Sequence, residues 1–221
     1  MPVQIQNFKL DRIGIIDDDD EVRKAYQYSL EDMDLTPVLE NGPLSTSFKE
    51  LFETATWDAL ICDHHLKTRQ YATFNGAELV AQAYKRFRPS ILSTRFQDCW
   101  LEIRPYREFI PVLFNPDDVY DLDRLIRGFE VCTGEFSNKF LDSRKPRRTL
   151  IRVEDVEERS SGILANFIVT GWDLHKVISI GMEHLPKPVS DVIVPGKRLH
   201  AKVNIGAERH EELYFKDWEI D

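Results

Sequence analysis

Cysteine is scarce in this sequence, and the three present, Cys62, Cys99 and Cys132, stand far apart. No C-x-x-C pair occurs, so neither a disulfide framework nor a thiolate zinc site is indicated. All three lie in apolar or helical stretches and read as reduced core thiols of a cytoplasmic protein. No apolar run approaches the length that spans a bilayer, and no basic segment followed by an apolar one opens the chain, so no membrane association is expected. Excess basic charge is missing too. The formal net charge is −9, which argues against a general binder of DNA or RNA. Internal repeats, low-complexity tracts and a helix-turn-helix pattern are also absent. What remains is 221 residues of ordinary globular composition, 42% hydrophobic and 30% charged, enough for one large domain or two small ones.

The most informative stretch runs from Trp57 to Asp63, an apolar segment of strand length that ends in one carboxylate and is followed by His64 and His65. An earlier apolar run, residues 12–16, ends in Asp17 and Asp18. In an open parallel sheet the carboxyl ends of the strands converge on one edge, where ligands bind. Two strands ending in carboxylates there make a pocket for a hard, oxygen-loving cation such as magnesium. The acidic quartet Asp17 to Asp20 also has a plainer reading, as a cluster that suits the N-terminal dipole of the next helix.

Hydrophobic periodicity supplies the rest of the first domain. Val22, Ala25, Tyr26, Ser29, Leu30 and Met33 recur at helical spacing, and a second strand is expected at 36–40. Ser45 or Thr46 is positioned to cap a second helix with Phe48, Leu51 and Phe52 inward. A third helix is expected at 76–87, a fourth strand at 90–94, a weaker helix at 97–104, a fifth strand at 109–114 and a last helix after Asn115-Pro116-Asp117. Apolar strands alternating with helices mean a parallel sheet covered on both faces, an α/β architecture of the flavodoxin-like, doubly wound, five-stranded kind.

Four strand ends now carry a pattern: the pair Asp17-Asp18, the lone Asp63, Thr94, and Asn115-Pro116. In kind and spacing this resembles the receiver domain of bacterial two-component response regulators, over roughly residues 10–130. The resemblance implies that Asp63 is the phosphoacceptor. It implies further that Asp18 and Asp63 ligate Mg2+ directly, that Asp17 acts through water, and that the backbone carbonyl of His65 completes the protein ligands. Thr94 would bind a phosphoryl oxygen and couple phosphorylation to the loop after the fourth strand. A histidine kinase or phosphotransfer protein is the partner so implied.

Departures from the family pattern are equally specific. Asn115 stands where receivers place a lysine, which removes a point charge beside the phosphoryl group. Arg95 follows Thr94 where a small residue is common, and points either outward or to a phosphoryl oxygen. Lys67 replaces a proline, and Val112 replaces the aromatic of the fifth strand. The loop from Asp63 to Gly76 is longer than usual, and Lys67 to Tyr71 lies in that insertion, placed to cover the site or to meet a partner. His64 and His65 are a poor chelate, since adjacent residues on an extended segment point apart.

Residues 142–148 are basic and contain Pro146, and read as a linker between a receiver-like domain, 1–141, and a β-rich domain, 149–221. The latter suggests a small antiparallel barrel or sandwich, with strands near 149–156, 163–170, 176–180, 198–205 and 213–219. It holds nine basic and thirteen acidic residues, and Trp172, Tyr214, Phe215 and Trp218 fall at strand spacing suited to a core. Output through protein contacts, to a partner the sequence does not name, is therefore expected rather than DNA binding. Edge strands and the absence of a DNA-binding output also suggest a homodimer. Three functions follow: an atypical response regulator, a degenerate receiver that binds partners without phosphorylation, and a phosphate sink for a histidine kinase.

Overall fold

The computed structural model describes residues 3–5, 8–95, 99–160 and 162–220. Two compact units are present: residues 1–97 with 109–139, and residues 98–108 with 140–221.

In the first unit five strands, β3 (Arg12–Ile16), β4 (Thr36–Leu39), β5 (Ala59–Asp63), β6 (Ser90–Ser93) and β7 (Val112–Phe114), form one parallel sheet in the order β4-β3-β5-β6-β7. This is the flavodoxin-like doubly wound order expected from the sequence. Ile13, Ile15, Ala59, Ile61, Ile91 and Val112 face one core, which Tyr26 and Leu30 of α1 (Asp20–Asp32) and Leu125, Phe129 and Cys132 of α5 (Leu122–Phe136) close. Leu60 and Cys62 alternate to the other face and are also fully buried, which is why these strands read as unbroken apolar runs. α2 (Phe48–Thr54) and α3 (Gly76–Tyr84) complete the unit. A short antiparallel hairpin, β1 (Val3–Ile5) with β2 (Phe8–Leu10), adds Ile5 and Leu10 to the core and was not legible in the sequence.

Helix starts follow side-chain capping. Asp19 caps α1 by accepting from Glu21 N, and Asp121 caps α5 by accepting from Arg124 N. Ser47 caps α2, in place of Ser45 or Thr46; Ser45 Oγ instead accepts from Ser47 N at 3.2 Å and donates to Glu50. Asn115-Pro116 opens a 3-10 turn over Pro116–Tyr120, and α5 begins only after it.

The second unit is a single antiparallel sheet in the order β10-β9-β8-β11-β12, built from β8 (Arg147–Arg159), β9 (Gly162–Val169), β10 (Asp173–Gly181), β11 (Arg198–Val203) and β12 (Phe215–Ile220). Its core holds Ile151, Val153, Phe167, Ile178, Leu199 and Leu213, with Trp172, Phe215 and Trp218 packed against it. The segment 98–108, expected in the first domain, clusters with this unit. Its described residues carry α4 (Trp100–Ile103) and most of a 3-10 turn over Arg104–Phe109, while Gln97 and Asp98 of the expected helix lie outside the described residues. Arginines explain the assignment. The buried Arg104 guanidinium donates to Leu213 O at 3.3 Å and His210 O at 3.1 Å, and buried Arg144 donates to Arg107 O and Glu108 O, both at 2.9 Å. Burial lowers the Arg104 pKa to about 10. The basic stretch 142–148 is accordingly part of the packing at Arg144 and of β8 from Arg147 onward. Among the described residues no helix is long and apolar enough to cross a membrane.

Candidate functional site

The carboxyl edge of the parallel sheet brings the acidic residues together. Ile16 is in register with Cys62, so Asp17 leaves β3 beside Asp63; Asp63 is in register with Ser93, and Ser93 with Phe114. Thr94 and Asn115 lie one residue beyond those positions. Asp17 is buried at 7% exposure, Asp18 and Asp63 are half-buried, Thr94 is buried, and Asn115 and Arg95 are exposed.

Local backbone donors shape the carboxylates. Asp63 Oδ2 accepts from His65 N at 2.7 Å, and Asp17 Oδ1 accepts from Asp19 N at 2.8 Å. Burial raises the Asp17 pKa to about 6; the bond from Asp19 N opposes this, while the charges of Asp63 and Asp18 add to it. Burial likewise raises Asp63, against the bonds from His65 and His64 N–H groups. Two crowded carboxylates, one with a pKa near neutrality, form an all-oxygen donor set whose charge a hard divalent cation would offset. The chemistry of the set therefore fits magnesium.

The floor beneath Asp63 depends on one glycine. Gly76 N donates to His64 O at 2.8 Å, and a Cβ at Gly76 would stand 1.8 Å from Asp63 O. The start of α3 can approach Asp63 this closely only without a side chain there.

The long loop folds onto the acidic edge. Arg69 donates to Asp18 O at 3.4 Å and pairs with Asp19 Oδ2 at 3.3 Å. Arg69 and Gln70 both have positive φ, 53° and 57°. Tyr71 donates through its hydroxyl to Glu40 O and accepts Leu44 N at its backbone carbonyl at 2.8 Å. Arg23 lies over the Tyr71 ring at 5.2 Å and donates to Asp17 O. His65 O accepts from Thr68 Oγ1 at 3.1 Å. Lys67 pairs with Glu78 at 3.7 Å, away from the carboxylates.

Asn115 makes no substitute for a basic residue. It is exposed, and its N–H donates to Asp118 Oδ2 at 3.0 Å, so it serves the turn that follows. Val112 is buried in the core shared with α1 and α5. Thr94 N donates to Phe114 O at 3.0 Å, which joins the ends of β6 and β7. Sequence reasoning missed Arg23, placed Tyr26 only on the inward face of its helix, and placed Tyr71 in the insertion expected to cover the site or meet a partner. Tyr26 and Arg23 lie on the buried side of α1, where helical periodicity shows only that a residue is inward.

No family model matches the sequence, and no curated protein matches it. Solved structures do. A response regulator protein from Thermotoga maritima in complex with Mg2+-BeF is similar at 15% identity and a TM-score of 0.42, covering 54% of this chain and 99% of its own. A CheY-like response regulator receiver domain from Methanospirillum hungatei is similar at 20% identity and a TM-score of 0.42, covering 57% and 98%. The signal receiver domain of an HD domain-containing protein from Pseudomonas fluorescens is similar at 17% identity and a TM-score of 0.45, covering 62% and 96%. The chain is thus similar over a little more than half its length to response regulator receiver domains, and the remainder lies outside that likeness.

Proposed function

We propose that the first unit is a phosphoacceptor of the receiver type, in which Asp63 takes a phosphoryl group from a histidine kinase or phosphotransfer protein. The observation that carries this reading is the register that sets buried Asp17 beside Asp63, with both carboxyl groups held above their ordinary pKa. Asp18, Asp63 and the carbonyl of His65 would hold Mg2+, and Asp17 would act through water. A bound divalent cation offsets the charge on both the carboxylate and the incoming phosphoryl oxygens, so that attack on phosphorus can proceed. The His65 N–H bond to Oδ2 helps fix the Asp63 carboxylate, one oxygen of which would attack phosphorus. Thr94 stands at the end of the neighbouring strand, placed to bind a phosphoryl oxygen.

The unit is atypical, because Asn115 and Arg95 are exposed and leave the pocket without the usual lysine. Phosphorylation would then be coupled more weakly to shape. The second unit, with net acidic charge, would act through protein contacts rather than on DNA. The Arg69 pair with Asp19 favours a second reading, a degenerate receiver in which the loop closes the acidic edge and binds partners without phosphorylation. A phosphate sink would share the chemistry of the first reading and lack its output.

Magnesium titration by calorimetry tests the pocket. Saturable binding is expected in the wild type, abolished by Asp63→Ala and weakened at least tenfold by Asp18→Ala, about 1.4 kcal/mol. Equal binding by all three proteins would remove the site from these residues.

A further inference from the structure

Tyr26 lies on the face of α1 that packs on the sheet, 3% exposed, with its ring edge-on to Tyr120 at 5.6 Å. Its hydroxyl stands 3.3 Å from Ser93 Oγ and donates to Pro116 O at 3.4 Å. A phenol has one proton; with that proton on the carbonyl, Ser93 Oγ–H donates to the phenolic oxygen. The chain of two bonds runs from the end of β6 to the residue after Asn115, anchored from α1. Ser93 is in register with Asp63 and precedes Thr94. Burial pushes the phenol up to about 12, and the charges of Asp17, Tyr120 and Asp63 add to that, so the hydroxyl sits within the field of the acidic pocket. Both bonds are longer than the usual O–H···O distance.

We propose that Tyr26 is a positioning residue of the phosphoryl pocket, whose hydroxyl holds the ends of β6 and β7, and with them Thr94, in place to receive a phosphoryl group on Asp63. The proposal rests on the reading of the pocket as a phosphoacceptor site and deepens it. Asn115 and Arg95, the other residues at these strand ends, are exposed, whereas Tyr26 is buried and reaches both ends at once. The two ligands of the pocket make different demands. A cation needs only the carboxylates and the His65 carbonyl, while a phosphoryl group also needs Thr94. Loss of the Tyr26 hydroxyl therefore separates them.

The test uses the full chain with Tyr26→Phe, which keeps the ring packed on Tyr120 and removes only the hydroxyl. Calorimetry measures magnesium alone, then beryllofluoride at saturating magnesium as a phosphoryl mimic. Magnesium affinity is expected to stay within about twofold of wild type, and beryllofluoride affinity to fall by about five- to tenfold, the scale of a typical net hydrogen-bond contribution. Ser93→Ala is expected to give the same split, and carries the test alone if Tyr26→Phe fails to fold. Equal weakening of both ligands, the mark of general loosening, overturns the proposal. Unchanged beryllofluoride affinity overturns it as well, and leaves the pocket itself standing. Failure of the wild type to bind either ligand overturns the pocket reading and the Tyr26 proposal together, and the wild-type titration alone shows it.

Discussion

Gly76→Ala is expected to destabilise the first unit by about 3 kcal/mol. In an ordinary helix the same change stabilises by roughly 0.5–1 kcal/mol, because alanine loses less backbone freedom on folding than glycine. Here the new Cβ would stand 1.8 Å from Asp63 O and 2.9 Å from Cys62 Sγ. The first of these neighbours is backbone and belongs to a central strand, so it cannot rotate away. The Gly76 N–H bond to His64 O holds the two segments together from the other side. Relief requires the start of α3 or the end of β5 to move, and either displaces Asp63. Hydrogen exchange of the β5 and α3 amides measures the loss directly. An alanine variant as protected as wild type would mean that this approach does not set the position of Asp63.

Asp17→Asn is expected to stabilise the metal-free protein at pH 7 by about 2–3 kcal/mol, from a pKa raised by about two units at 1.36 kcal/mol per unit. The sign follows from linkage. The native carboxyl group holds its proton up to about pH 6, whereas its ordinary pKa is 3.8, so the folded state binds the proton more tightly than the unfolded chain. Stability is therefore greatest with Asp17 protonated, falls as pH rises from about 4 to 6, and is level above that. Asparagine cannot ionise, so the variant gains at pH 7 and matches wild type below pH 4. If the pocket holds magnesium as proposed, the cation is expected to reverse the order, because it would stabilise a native state that keeps the carboxylate. Urea unfolding at pH 4 and pH 7, with chelator and with magnesium, gives the four values. A variant less stable than wild type at pH 7 in chelator would contradict the burial of an uncompensated charge at Asp17.

The parallel sheet and its acidic edge were legible because strands buried on both faces read as apolar runs, and a carboxylate that ends such a run stands out. Residues 12–16 and 57–63 could be read as strands ending in the carboxylates Asp17 and Asp63 for that reason. The capping of α2 by Ser47 was missed because Ser45, Thr46 and Ser47 share the same chemistry, and only the backbone path selects one. The hairpin at 3–10 has strands of three residues each, too short for any period to register. The placement of 98–108 in the second unit was hidden for a different reason. Arg104 and Arg144 donate to backbone carbonyls distant in sequence, and a carbonyl acceptor leaves no mark on residue type. Tyr26 was visible only as an inward residue; its hydroxyl partners come from the ends of β6 and β7, which helical spacing cannot reveal.

Phosphorylation of Asp63 is the most direct measurement. Incubation of the full chain with magnesium and a small phosphodonor should add one phosphate, stable to brief acid and labile to base and hydroxylamine as an acyl phosphate is. Asp63→Asn should abolish it, and chelation of magnesium should suppress it. No phosphate on the wild type, from small donors or from a panel of histidine kinases, would contradict the phosphoacceptor account and leave the partner-binding reading in its place.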